Sequence, residues 1–148
     1  MLSESCVFCK IVSGKIPAYK VYEDGNTLAF LDVYPLSKGH TLVIPKTHVG
    51  KIEELSERDS ELLFKTVWKL TKHIQLATGT TSSLIGINNG PESGQEVPHV
   101  HVHIMPRSKG DGGGPIHSAM RLRPAVSKEE MQNITEKIRS ALKDWYLA

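Results

Sequence analysis

No apolar run in this sequence approaches the ~18 to 20 residues that a bilayer-spanning helix needs, so a membrane is not among the expected partners. No block of five or more like charges occurs either, and the net charge is only +2. That balance excludes a nucleic-acid or membrane footprint resting on charge alone, while a small phosphorylated ligand needs only a few local donors. The start, Met1 to Cys6, lacks the basic residues and apolar stretch of a secretory signal, and the expected compartment is the cytoplasm. Cysteine is scarce: there are 2, spaced Cys6-x-x-Cys9. In a reducing compartment such a pair reads as free thiols or metal ligands rather than a structural disulfide. Internal repeats and long linkers are absent, so the 148 residues are expected to form one domain, 1–148, with a glycine-rich loop and a helix from about residue 108.

What is present is an ordinary globular composition, 39% hydrophobic and 23% charged, which supplies a core. Cys6 to Val12 has short helical spacing. Tyr19–Tyr22 and Thr27–Leu31 read as strands joined by the turn residues Glu23-Asp24-Gly25-Asn26. His40–Ile44 reads as a third strand ending at Pro45. Leu62, Leu63, Val67, Leu70 and Ile74 mark a helix from about Glu57 to Ala77, with Ser56 as N-cap and Gly79 as terminator. Ser83–Ile87 and His99–Met105 are the fourth and fifth strands, the last ended by Pro106. A glycine-rich loop over Ser108–Pro115 and a helix from about Ser127 to Trp145 follow. The fold class is α+β: an antiparallel five-stranded sheet with two main helices, one sheet face covered by helix and the other, or the partner edge, available to polar residues that do chemistry.

The chemistry concentrates in His99-Val100-His101-Val102-His103-Ile104-Met105. Strand side chains alternate, so the three histidines share one face, roughly 6.5 to 7 Å apart. Three imidazoles are costly in an apolar core without partners. A solvated stripe normally carries Lys, Glu, Thr or Ser instead. Two functional readings remain, a His-x-His zinc site and nucleophilic histidine chemistry. Asn88, Gly94 and Gln95 just upstream bring neutral donors and backbone amides, which suit a phosphate oxygen better than a metal. No Asp or Glu flanks the histidines as an obvious further ligand.

On these residues the sequence resembles the histidine triad family, whose signature is His-φ-His-φ-His-φ-φ with φ apolar; His99 to Met105 matches throughout. The likeness extends over Ile16-Pro17, Leu28–Asp32, Gly39–His48 and Gly94-Gln95, and the cysteine-containing start and Met105-Pro106-Arg107 are similar to prokaryotic members of the Hint-like kind. The resemblance implies a homodimer acting on a nucleotide, adenosine-containing by preference, and cleaving it at the α-phosphorus. His101 would be the nucleophile that takes up the nucleotidyl group, with its second nitrogen held as N–H by the His99 carbonyl. His103 would bond the α-phosphate and His40 would buttress the triad. Nucleoside phosphoramidates and dinucleoside polyphosphates are the substrate classes it offers; water as acceptor makes the enzyme a hydrolase, phosphate a phosphorylase. A nucleotide-binding regulatory protein without useful turnover is the non-enzymatic alternative, and a zinc hydrolase with three histidine ligands is a third, enzymatic one.

Asp32 matches the family's ribose-binding acid, although without the resemblance it reads equally as a turn residue. Phe8, Ile11, Ile16, Phe30 and Val33 match positions around the base, and alone read as core. Asn88, Gln95 and Val97 match positions near the phosphates. Glu96 stands where many members have Ser or Thr that serves the leaving group; the carboxylate there either repels a polyphosphate and favours a small amine or simply points to solvent. The family branch with this start binds structural Zn²⁺, and the matching ligands are Cys6, Cys9, His48 and His99, a closed Cys₂His₂ set. His73 and His117 are read as surface or loop residues.

Overall fold

The computed structural model describes residues 2–119 and 124–146. Its longest element, α2 (Glu57–Thr78), is bounded by local chemistry. Ser56 Oγ accepts the Asp59 amide at 3.0 Å, and Gly79 ends the helix at φ 68°, a left-handed conformation that costs glycine little. A short helix α1 (Val7–Val12) precedes five strands: β1 (Lys20–Glu23), β2 (Thr27–Leu31), β3 (Thr41–Pro45), β4 (Ser82–Gly86) and β5 (Val102–Arg107). They form one sheet in the order β1-β2-β3-β5-β4, antiparallel at every pairing. This is the expected α+β class.

Strands β2 and β3 are buried almost throughout because helices cover both sides of the sheet. Leu63, Val67, Leu70 and Ile74 of α2 pack with Ala29, Val43, Val100, Val102 and Ile104. On the opposite side Phe8 and Ile11 of α1, with Cys6 and Cys9, pack with Leu28, Phe30, Leu42 and Ile44. The short α1 thus adds apolar cover over β2 and β3 on the side that also carries the histidines.

The histidine segment departs from expectation. β5 begins at Val102, so His99 and His101 precede it, and it runs through Pro106 to Arg107. Its ladder with β3 ends at the Ile104–Thr41 pair, while β4 continues to the Arg107–Ser82 pair. Pro106 thus meets a partner strand on one side only, where a sheet tolerates a residue without an amide hydrogen.

Gly39 delivers the chain into β3 at φ +83°, and a Cβ there would collide with Thr78 Cγ2 at the end of α2. Gly39→Ala is accordingly expected to destabilise the fold by about 2 to 3 kcal/mol, combining left-handed strain with the clash. Urea unfolding of the variant measures this directly. A loss under 0.5 kcal/mol would mean that the turn re-forms around an ordinary residue.

The chain clusters into two compact units, Met1–Gly113 and Gly114–Ala148, where the sequence reading has a single domain over 1–148. The division falls in the glycine-rich loop. The second unit contains a 3₁₀ turn at Ile116–Ala119 and α3 (Lys128–Tyr146). Its helix starts with a capping box, in which the Glu130 amide donates to Ser127 Oγ and the Ser127 amide to Glu130 Oε2. His73 on α2 and His117 in the 3₁₀ turn are exposed, as expected.

Candidate active site and metal cluster

Alternation along 99–104 sends Val100, Val102 and Ile104 into the α2 core, leaving His99, His101 and His103 for the other side. His101 is 6% exposed, with its ring 5.2 Å from Phe8 and 4.9 Å from His103, edge-on to each. Its Nδ1 lies 2.7 Å from the His99 carbonyl oxygen. A carbonyl can only accept, so Nδ1 carries the hydrogen and Nε2 is left with the lone pair. Backbone geometry thereby sets which nitrogen of the His101 ring bears the lone pair.

His103 Nδ1 is 2.9 Å from His40 Nε2, and its own Nε2 is buried without a hydrogen-bond partner. His40 Nδ1 receives the Leu36 amide at 3.2 Å and lies 3.5 Å from Asp32 Oδ2. Asp32, His40 and His103 are close enough to share a cation, but the His40–His103 separation is that of a hydrogen bond. Burial, reinforced by the neighbouring His101 and His40, pushes the His103 pKa down to about 4; burial also lowers that of His40 against the pull of Asp32.

A histidine with a depressed folded-state pKa refuses a proton that the unfolded chain accepts. Its contribution to stability is full above the ordinary value of 6.5 and is lost as pH falls from there toward about 4. Urea titrations at pH 7.5 and 4.5 should show His103→Gln losing less stability on acidification than the parent protein, by roughly 2 kcal/mol. Equal losses would assign His103 an ordinary pKa.

Four other side chains converge beside the triad. Cys6 Sγ lies 3.5 Å and Cys9 Sγ 3.7 Å from His99 Nδ1, Cys9 Sγ 3.3 Å from His48 Nδ1, and the two Nδ1 atoms 3.3 Å apart. A tetrahedral zinc with ordinary bond lengths would set sulfur–nitrogen edges near about 3.6 Å and nitrogen–nitrogen edges near about 3.3 Å. The cluster fits. His99 Nε2 donates to the Pro45 carbonyl at 2.9 Å, which leaves Nδ1 bare for a metal, and burial holds its pKa down at about 4, keeping the ring neutral. Four protein donors, three of them buried, make a closed set of the structural kind.

The residues expected around the nucleotide divide by environment. Phe8, Ile11 and Phe30 are buried, with Ile16 and Val97 packed against the same cluster, whereas Val33 is 67% exposed just after β2. Asp32 Oδ1 accepts the Tyr34 amide at 2.9 Å, so the residue does close a turn, while Oδ2 approaches His40. Asn88 is exposed and donates to the Gly94 carbonyl. Gln95 accepts the Gly90 amide at 2.8 Å and donates to the Gly50 carbonyl at 2.7 Å, joining the loop before His99 to the segment after His48. Glu96 is exposed. Three groups went unforeseen: the Leu36 amide on His40, the Pro45 carbonyl on His99 and the Gly50 carbonyl on Gln95. All are backbone groups, which carry no residue-specific signal.

The family model described as the HIT domain matches residues 13–110. An adenosine 5'-monophosphoramidase of Schizosaccharomyces pombe is 42% identical, covering 94% of this chain and 99% of that one. The crystal structure of a member of the HIT family from Bacillus subtilis superposes with a TM-score of 0.82 at 40% identity, covering 93% of this chain and 96% of the other. A zinc-bound histidine triad family protein from Mycobacterium smegmatis gives a TM-score of 0.70 at 33% identity, covering 93% and 97%. With the domain model spanning the sheet and the triad, and such relatives matching over nearly its whole length, this chain belongs to the HIT (histidine triad) family.

Proposed function

We propose that this chain is a nucleotide hydrolase that cleaves nucleoside 5'-phosphate derivatives at the α-phosphorus through a covalent intermediate on His101. The observation that carries the reading is the 2.7 Å bond from His101 Nδ1 to the His99 carbonyl, which leaves Nε2 of this buried ring to act as the nucleophile. The Nε2 lone pair attacks phosphorus and forms a P–N bond as the bond to the leaving group breaks, the amine departing with a proton taken from solvent. Water then attacks phosphorus, the P–N bond to His101 breaks and returns its electron pair to Nε2, and the nucleoside monophosphate departs as the water's proton passes to solvent. His103, with an unpartnered Nε2 beside His101, bonds a phosphate oxygen as charge grows there. Phosphoramidates are the favoured class: the phosphoramidase named among the relatives supports them, and the exposed Glu96 in the loop before His99 disfavours a polyphosphate leaving group.

Zinc is the metal we assign to Cys6, Cys9, His48 and His99. Its chemistry would be structural, fixing the ring of His99, and no step of the reaction passes through it. The decisive experiment is rapid acid quench with an adenosine 5'-phosphoramidate radiolabelled at phosphorus. Label should appear on the protein within the first turnover and be lost as AMP forms. Turnover with no labelled protein at any time point would sink the covalent route, and substrate that binds without turning over would favour a regulatory binding protein.

A further inference from the structure

We infer that the backbone amide of Leu36 is a positioning group for the reaction: it fixes the tautomer of His40 and, through it, makes His103 Nε2 a hydrogen-bond donor rather than an acceptor. The reaction itself rests on the proposed function above; the tautomer assignment does not.

The assignment runs along one chain of contacts. An amide N–H can only donate, so His40 Nδ1, 3.2 Å from the Leu36 nitrogen, must offer its lone pair. A neutral His40 then carries its hydrogen on Nε2 and donates it across 2.9 Å to His103 Nδ1. That occupies the lone pair of His103 and puts the remaining hydrogen on Nε2, the atom left buried and without a partner. The opposite arrangement is close at hand. With the hydrogen on His40 Nδ1, Asp32 Oδ2 at 3.5 Å is the acceptor, and both rings reverse. His103 Nε2 would then present a lone pair, which repels a phosphate oxygen. One backbone hydrogen thus decides between a site that attracts the phosphoryl group and one that rejects it.

The turn is built to hold that hydrogen in place. The Tyr34 amide is tied to Asp32 Oδ1 at 2.9 Å, the His40 amide to the Ser37 carbonyl at 3.0 Å, and the Asp32 amide to the His40 carbonyl at 2.9 Å. The Leu36 side chain takes no part, being 79% exposed. Asp32 therefore has a part in phosphate chemistry that is separate from any contact with a sugar: by closing the turn with Oδ1 it directs the neighbouring amide at His40.

Long-range proton–nitrogen correlation NMR on the full chain with ¹⁵N-labelled histidine, at pH 7.5, reads both rings directly. The expected spectrum has hydrogen on Nε2 and a bare Nδ1 in His40 and in His103. A protonated Nδ1 on either ring overturns the proposal, without reference to turnover. Leu36→Pro removes the amide hydrogen, and Leu36→Ala, which keeps it, should retain the parent histidine spectrum. The proline variant should show reversed or mixed tautomers and a kcat lower by about 10²-fold, the size of a lost donor at a developing charge, with KM moving much less. Unchanged tautomers in the folded proline variant, or reversed tautomers at full kcat, each overturn the proposal; if that variant does not fold, the parent spectrum decides. A spectrum as expected in a chain that turns over no nucleotide would overturn the proposed function and leave the tautomer assignment standing.

Discussion

His101→Asn is expected to lower kcat on the order of 10⁴-fold or more while nucleotide affinity stays within a few-fold, because on the proposed route the substitution removes the attacking nitrogen and little else. Asparagine fits the space, and its amide can still donate to the His99 carbonyl that His101 Nδ1 contacts at 2.7 Å. His40 and His103 form their bond independently of that ring, so the phosphate-binding side of the site should persist. Single-turnover kinetics with a nucleoside phosphoramidate, paired with calorimetric binding of the monophosphate product, separates the two quantities. Retention of a tenth of the activity would mean that water attacks phosphorus directly and that His101 serves only as a base or a positioning group.

Cys9→Ser should lower metal content, thermal stability and activity together. Cys9 is 2% exposed and approaches both histidines of the cluster, at 3.3 and 3.7 Å. Its replacement leaves three donors and one weak oxygen for an ion that takes four strong ones. Protein purified without added metal or a metal-binding tag should carry about one zinc per chain, and the variant far less. Losing a crosslink of this kind costs on the order of 3 to 4 kcal/mol, a fall in Tm of roughly 10 °C in a domain of this size. Activity should follow, because His99 supplies both a cluster nitrogen and the carbonyl that orients His101. His101→Asn gives the contrast: full metal, an unshifted Tm and no turnover. A metal-free parent protein that is active and equally stable after chelation would leave the cysteines as buried thiols.

The parts legible in the sequence were those whose cause is local. Ser56 and Gly79 mark the ends of α2 because capping and left-handed termination are the chemistry of single residues. The alternation of histidine and valine was legible because it persists through 99–101, where no ladder has formed and Val100 still enters the α2 core. The limits of β5 were not. They depend on where pairing with β3 starts, at the Val102–Val43 pair, and where pairing with β4 runs out, at the Arg107–Ser82 pair, and a strand does not announce its partners' lengths. The cover that α1 adds over β2 and β3 was hidden for another reason: six residues give too short a pattern to show which side they bury. The gathering of Cys6, Cys9, His48 and His99 followed from the family resemblance, since the spacing Cys-x-x-Cys points equally to free thiols. The groups that set proton positions, the Leu36 amide and the Pro45 carbonyl, were beyond reach because every residue has a backbone.

The contact between Cys6 and His99 spans 93 residues of sequence. A link of that length draws its strength from the disorder it denies the unfolded chain, and it is also among the last contacts to become possible as the polypeptide is made. The first cysteine leaves the ribosome long before its histidine partner exists, so α1 can pack on β2 and β3 while its link to His99 must wait for the segment that leads into β5. The nucleophile shares that delay, since the carbonyl that orients His101 belongs to the same His99. Reactive histidine and completed scaffold therefore arrive together, and a truncated chain ending before residue 99 would have neither the cluster nor the chemistry.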